Sequence, residues 1–289
     1  MLVAVFLVSG IAAAALLWRL MAPILADPIY ARENFRGRPL PTAAGLVAVV
    51  AVVVVEATVT VIDALGVDVD PEALGPRRLV VLAVVGFGLL GLLDDLGGAG
   101  QSGGFRGHLR ALASGRLTTG GLKLFGGAAL SIVVVAAGTT GRSTGRLIAD
   151  AALVALSANL ANLLDRAPGR VLKGGAAVFA VLAIGTAAGP ELAGVALAVG
   201  AALGLLVPDL RERCMLGDAG ANPLGAVLGV GVVVACSPDV RLAVLALVAV
   251  LNLLSEAVSY SKVIDRVPPL RFLDQLGREP AGEPSEDPT

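Results

Sequence analysis

The chain of 289 residues is 56% hydrophobic and only 16% charged, against roughly a quarter charged in a typical soluble domain, and its mean hydropathy is +0.85. Its polar groups are too few to cover a soluble surface and sit in short clusters between long apolar runs, which excludes an ordinary soluble domain. A formal net charge of -1 supplies no basic field for nucleic acid, and Cys214 and Cys236, the two cysteines, make neither a metal cluster nor a disulfide framework.

A membrane-crossing helix needs about 20 apolar residues. Spans are predicted near residues 1–18, 42–64, 79–96, 121–138, 147–164, 171–188, 190–207, 219–236 and 238–257. The fold class expected is therefore all-α: a polytopic integral membrane helical bundle with about nine transmembrane helices. The first run, MLVAVFLVSGIAAAALL, has no basic residue ahead of it and Arg19 behind it. That order fits a first span with its N-terminus outside better than a cleaved signal peptide. With this orientation 17 of the 22 Lys and Arg residues fall in cytoplasmic segments, leaving Arg77, Arg78, Arg142, Arg146 and Arg241 outside. The bias agrees with the positive-inside rule, and an odd number of spans places the C-terminus in the cytoplasm. Residues 1–278 read as a single transmembrane domain. The Pro- and Glu-rich tail over 279–289 is expected to be disordered. Abundant small residues permit close helix packing, within one chain or across a homodimer.

The polar motifs follow in chain order. The first cytoplasmic loop, DPIYARENFRGRPLPTAAG, carries Arg32, Arg36 and Arg38, which could bind anionic lipid or a phosphorylated substrate, or serve topology alone. Pro39 and Pro41 stand at a tolerated helix-start position. Glu56 is the conspicuous acid inside a predicted span, facing a neighbouring helix or water. Asp94 and Asp95 close the third span. Adjacent carboxylates repel unless a cation or proton compensates them, so they mark either a magnesium site or a membrane exit. The next loop holds Arg106, His108, Arg110, Arg116 and Lys123. His108 is the only histidine, which rules out a histidine metal cluster, whereas Lys123 at a span entrance is a candidate phosphate contact.

Asn159, Asn162 and Asp165 are spaced by three at the end of the fifth span, roughly on one helix face. They would hold a hydrated cation or substrate hydroxyls, or hydrogen-bond between helices. Asp218, between Gly217 and Gly220, could cap the next helix or close a cation site with Asp94 and Asp165. The last segment supplies Tyr260, Lys262, Arg266 and Arg271. Pro268–Pro269 breaks regular helix there, leaving a short interfacial amphipathic element or a loose tail. Under the predicted topology Asp94, Asp95, Asn159, Asn162, Asp165 and Asp218 lie near one membrane face. Several acids, nearby arginines and a membrane interface suit magnesium-dependent attack on a phosphorylated substrate.

Taken together, these motifs resemble the polyprenyl-phosphate N-acetylhexosamine-1-phosphate transferases (glycosyltransferase family 4). That family includes phospho-N-acetylmuramoyl-pentapeptide transferase and the UDP-N-acetylglucosamine–undecaprenyl-phosphate transferases. The DD pair is similar to Asp94–Asp95, the asparagine–asparagine–aspartate signature to Asn159, Asn162 and Asp165, and the glycine–aspartate–glycine motif to GDAGANPLG at Gly217–Gly225. The resemblance implies transfer of a sugar-1-phosphate from a UDP-sugar to undecaprenyl or another polyprenyl phosphate, releasing UMP, in cell-envelope glycan synthesis such as that of peptidoglycan. It implies Mg2+ held by Asp165 and Asp218. Asp94, Asp95 and Asp165 would act in catalysis, and Arg36, Arg38, Lys123, Asn159, Asn162 and Arg271 in substrate binding. The chain departs from the family where DGLDG becomes DRAPG, with Arg166 and Pro168, and where the late loop PPLRFLDQLG lacks histidine. Two other readings stand beside the enzyme: an inactive or regulatory paralogue that binds polyprenyl phosphate, and a transporter, for which no inverted repeat is visible.

Overall fold

The computed structural model describes residues 1–67, 69–97, 119–138 and 143–279. Arg106, His108, Arg110, Arg116 and Arg142, and the tail expected to be disordered from residue 280 onward, lie outside the described residues. The chain is almost entirely helical. Its helices are α1 (Leu2–Leu25), α2 (Gly45–Ala64), α3 (Pro71–Gly97), α4 (Thr119–Ala137), α5 (Thr144–Leu164) and α6 (Arg170–Gly185). They continue with α7 (Ala193–Leu203), α8 (Leu206–Leu210), α9 (Asp218–Ala235), α10 (Pro238–Ser255), α11 (Tyr260–Arg266) and α12 (Pro268–Gln275). Among the described residues, eight helical stretches are long and apolar enough to cross a membrane; Pro190–Leu210, which includes α7 and α8, counts as one of them.

The helix α6 is not among those eight. It has 16 residues, about 24 Å at 1.5 Å per residue, against about 30 Å of bilayer hydrocarbon. It nevertheless runs the length of the bundle. The end of α5 and the end of α8 lie together, because Asp209 accepts the N–H of Gly169. The start of the Pro190–Leu210 stretch lies at the other end, where Gly194 packs on the backbone of Arg77. The segment between them must therefore pass from one end of the bundle to the other, a ninth pass among the described residues beside the eight apolar ones.

The helix α9 is the hub, with 83% of its apolar window buried, while α10 buries only 6% and forms an edge. Around the hub, α3 and α5 are the main neighbours of α9; α1 packs on α7 and α10 on α5. Small residues make this density possible. A Cβ on Gly91 of α3 would strike the Asp218 backbone, and one on Gly45 of α2 would strike Gly220, so these helices meet backbone to backbone.

Two differences from the sequence expectation concern local structure. The helix α3 starts at Pro71, ahead of the predicted 79, and carries Arg77 inside the bundle rather than in an outer loop. Its guanidinium bonds Glu56 with Nε–Oε1 at 3.0 Å and Nη2–Oε2 at 2.7 Å, and lies 5.0 Å from the Phe6 ring. A charge that punctuates the sequence is thus neutralised across helices. The first loop, in turn, forms a small antiparallel pair, β1 (Ala31–Glu33) with β2 (Pro39–Pro41), so the prolines sit in strand and α2 begins only at Gly45. Asn34 builds the hairpin tip by accepting the N–H groups of Arg36 at 2.9 Å and Arg38 at 3.0 Å. The strand end is stitched to the approach to α9: Met215 N–H donates to Pro41 O at 2.8 Å and Gly45 N–H to Leu216 O at 2.8 Å.

Candidate active site at the hairpin end of the bundle

The N-terminus of α9 gathers residues from three other helices. Asp218, its first residue, is ion-paired to Lys123 of α4 and accepts a hydrogen bond from the Asn162 side chain of α5. Lys123 also lies 3.7 Å from Asp94 of α3. One ammonium therefore stands between two carboxylates. Asp95 turns elsewhere: its Oδ1 accepts the Asp218 N–H and its Oδ2 the Ala219 N–H, each at 3.0 Å. It caps α9 from a neighbouring helix, satisfying donors that the first helical turn leaves open. Gly217 makes room for this. Its φ of 70° favours glycine, and a Cβ there would lie 2.7 Å from Asp95 Oδ2 and 2.9 Å from Thr42 Oγ1.

Asp165 follows the last turn of α5 and accepts the Gly217 N–H. Burial, reinforced by the charges of Asp209, Asp218 and Asp95, pushes its carboxyl well above the ordinary carboxylate range, and the Gly217 bond offsets this only in part. Asp209, which the sequence did not single out, is buried and held by the N–H groups of Gly169 and Leu216. Asp94 and Asp218 thus flank Lys123, Asp95 caps α9 beside them, and Asp165 feels the charges of Asp209, Asp218 and Asp95, a concentration of negative charge that favours protons or a cation. Burial, then the charges of Asp209 and Asp165, raise the Cys214 thiol well above the usual range, which disfavours its thiolate.

The other expected residues are dispersed. Asn159 donates to Asn252 of α10 at 2.7 Å, and Asn252 in turn donates to Leu156 O and Val248 O. That is a helix–helix link along the bundle edge, apart from Asp218. Arg36 pairs with Glu212 at 3.0 Å, and Asn34 Nδ2 donates to the same carboxylate at 2.8 Å. These contacts hold Glu212 at φ 48°, a conformation unfavourable for a residue with a Cβ. The hairpin is thereby pinned beside the carboxylate cluster. Arg38 and Arg271 are exposed, and Lys123 sits inside the cluster rather than on its rim.

Two residues carry no signal that sequence pattern could have isolated. Asn222 lies one turn beyond Asp218 on the same face of α9. It is buried, and among the described residues neither its side-chain nitrogen nor its oxygen is hydrogen-bonded. Asp274 of α12 is buried against Arg170 and Arg278. A cavity of about 300 Å³ lined by Arg146, Asp150 and Arg241 lies at the far end of the bundle, where α5 and α10 begin, away from the carboxylates.

For magnesium, the donor chemistry is hard oxygen. No group of three or more acidic, histidine or cysteine side chains is arranged as a cage among the described residues. Mg2+ does not require one, since it typically takes one or two carboxylates and completes its shell with water and phosphate oxygens. Asp165, which accepts the Gly217 N–H, and Asp218, which is ion-paired to Lys123, are the oxygen donors that would be available to such an ion. Comparison of the chain with protein-family models and with curated proteins gave no match.

Proposed function

We propose that this membrane protein transfers a sugar-1-phosphate, of the N-acetylhexosamine type, from a UDP-sugar to undecaprenyl or another polyprenyl phosphate. It releases UMP and serves cell-envelope glycan synthesis. The supporting observation is the convergence of Asp94, Lys123, Asn162 and Asp218, from four helices distant in sequence, with Asp165 beside them. The unpaired amide of Asn222 adds a buried donor and acceptor one turn below, the kind of orphan group that a ligand explains. The positive-inside bias of the sequence supports a cytoplasmic position for this end, where nucleotide sugars are found, with the first residues of α1 outside.

In this reaction an oxygen of the lipid phosphate attacks the β-phosphorus of the UDP-sugar. The new P–O bond forms as the bond from that phosphorus to the bridging oxygen breaks, and UMP leaves with the electron pair. Asp165 and Asp218 would hold Mg2+, which supplies charge compensation for the diphosphate. Lys123 would exchange part of its pairing with Asp94 and Asp218 for a phosphate oxygen and so orient the acceptor. Asp95 keeps the α9 N-terminus in register, and Asn162 fixes the Asp218 carboxylate. Most of the rate gain would come from alignment of two anions in one cleft.

A second reading, a polyprenyl-phosphate binder without turnover, is favoured by one feature: Lys123, Asn162 and the backbone N–H groups already satisfy Asp218 and Asp95. The deciding experiment uses purified protein in nanodiscs with magnesium, polyprenyl phosphate and a panel of UDP-sugars, assayed for UMP and lipid-linked sugar. Product with any sugar supports transfer. Lipid binding without either product across the panel supports the binder.

A further inference from the structure

The residues after Asp165 build a second polar assembly. Arg170, at the start of α6, grips Asp274 of α12 with both ends of its fork: Nε–Oδ1 is 2.7 Å and Nη2–Oδ2 is 3.0 Å. Arg278 Nη2 lies 2.6 Å from the same Oδ1, and its Nε donates to Pro168 O at 2.9 Å. Lys173, one turn along α6, donates to the carbonyls of Leu273, Asp274 and Leu276 at 2.8, 2.6 and 3.1 Å. Arg170 and Asp274 are almost fully enclosed, with 9% and 5% of their side chains exposed.

Three cations thus surround one carboxylate. Asp209 also acts on Lys173 and Arg278, but its oxygens are engaged by Gly169 and Leu216. Positive charge is left over, and Arg278 Nη2 is buried against Asp274 as an ion pair without an aligned hydrogen bond. A planar guanidinium fork beside a second guanidinium and an ammonium suits a phosphate group, which offers more oxygens and more charge than a carboxylate. Burial alone would raise the Asp274 carboxyl; Arg170, then Arg278, outweigh it and hold it below the ordinary range.

The carboxylate comes from a lightly held element. The helix α12 has eight residues, and its principal helical neighbour is α11. Leu270, Phe272 and Leu273 point into the open, 44 to 66% exposed. Apart from the polar contacts of Asp274 and of the carbonyls on Lys173, little ties it to α6. We propose that Arg170, Lys173 and Arg278 form a binding site for a phosphate group, and that Asp274 is a built-in plug which such a ligand displaces. The site adjoins the carboxylate cluster through Gly169 and Asp209, but it does not depend on sugar transfer.

The test uses the full chain in phosphatidylcholine nanodiscs. Inorganic pyrophosphate is titrated calorimetrically into the unmodified protein, Asp274→Asn, and Asp274→Asn with Arg170→Gln. Removing the plug's charge is expected to tighten binding about tenfold or more, and the added Arg170→Gln to abolish the gain. Hydrogen exchange on the unmodified protein reads displacement directly and does not require any variant to fold. Pyrophosphate should speed exchange in residues 268–276 severalfold, where sodium chloride of equal ionic strength does not. A second arm replaces pyrophosphate with phosphatidic acid in the nanodisc. Faster exchange with that lipid alone assigns the phosphate to a lipid headgroup; with pyrophosphate alone, to a soluble ligand. Unchanged exchange in both arms, or equal acceleration by chloride, overturns the proposal. So does a folded Asp274→Asn protein that binds pyrophosphate no more tightly than the unmodified one.

Discussion

Asp95 accepts the backbone N–H of Asp218 at 3.0 Å, whereas its neighbour Asp94 faces the ammonium of Lys123 at 3.7 Å. Two adjacent and identical side chains therefore serve different ends, one fixing the start of α9 and the other belonging to the ionic cluster. Asp95→Ala is expected to remove the cap and destabilise the protein by about 1–2 kcal/mol. Asp94→Ala should lower the melting temperature less and turnover more. Thermal unfolding in detergent, run beside the transfer assay, checks the pair. Equal losses of stability in both variants would contradict the division.

Asp165 has the opposite relation between stability and function. The folded protein holds its proton more tightly than the unfolded chain does, because burial and like charges raise its carboxyl. Its contribution to stability is complete below the ordinary carboxylate range and is lost as pH rises through the raised value. Asp165→Asn removes that loss. The variant should melt higher than the parent at neutral pH and show a flatter decline with rising pH, while turnover falls by roughly a hundredfold or more. A variant less stable at neutral pH would show that the ionised carboxylate is satisfied in the fold.

The two asparagines divide similarly. Asn162 reaches Asp218, and Asn159 reaches Asn252. Asn162→Ala is expected to cut turnover at least about tenfold by freeing the Asp218 carboxylate. Asn159→Ala should leave turnover nearly intact and cost about 0.6 to 2 kcal/mol of stability at the α5–α10 contact. Asn252→Ala should reproduce the Asn159 phenotype.

Sidedness is measured with single cysteines in a background lacking Cys214 and Cys236. A cysteine at Asp70, at the end where α3 begins, should react with an impermeant reagent from outside. One at Arg38, exposed on the hairpin, should react only after the inner face is opened. The reverse pattern would invert the assignment of the carboxylate cluster to the cytoplasm.

Most of the bundle was legible as apolar runs, because a helix in lipid must satisfy its own backbone and advertises itself by length and composition. The beginning of α3 was not. Pro76, Arg77 and Arg78 interrupt the hydropathy, and only the partnership of Arg77 with Glu56 makes a buried guanidinium tolerable there. The asparagine signature shows the limit of helical periodicity. Positions three apart differ by about 60° around the axis, enough to send Asn159 to α10 and Asn162 to α9. Asp165 then leaves the helix altogether as its C-cap. The DD pair was visible as a pair, but which carboxylate would cap and which would pair with Lys123 depends on the approach of Gly217. Asp274 lies in a segment with weak pattern, and its partners are about a hundred residues away in sequence.

The enclosure of α9 also bears on motion. Asp218 stands at the tip of the most enclosed of the eight long apolar stretches, held against α3 by Gly91 and against α2 by Gly220. A rocking carrier exposes its site alternately by sliding one half of the fold past the other. Here such a slide would have to shear backbones already in contact on either side of the axis that bears the site. The architecture favours a fixed anvil over a rocker switch, with the helices that carry Asp218 held still against one another.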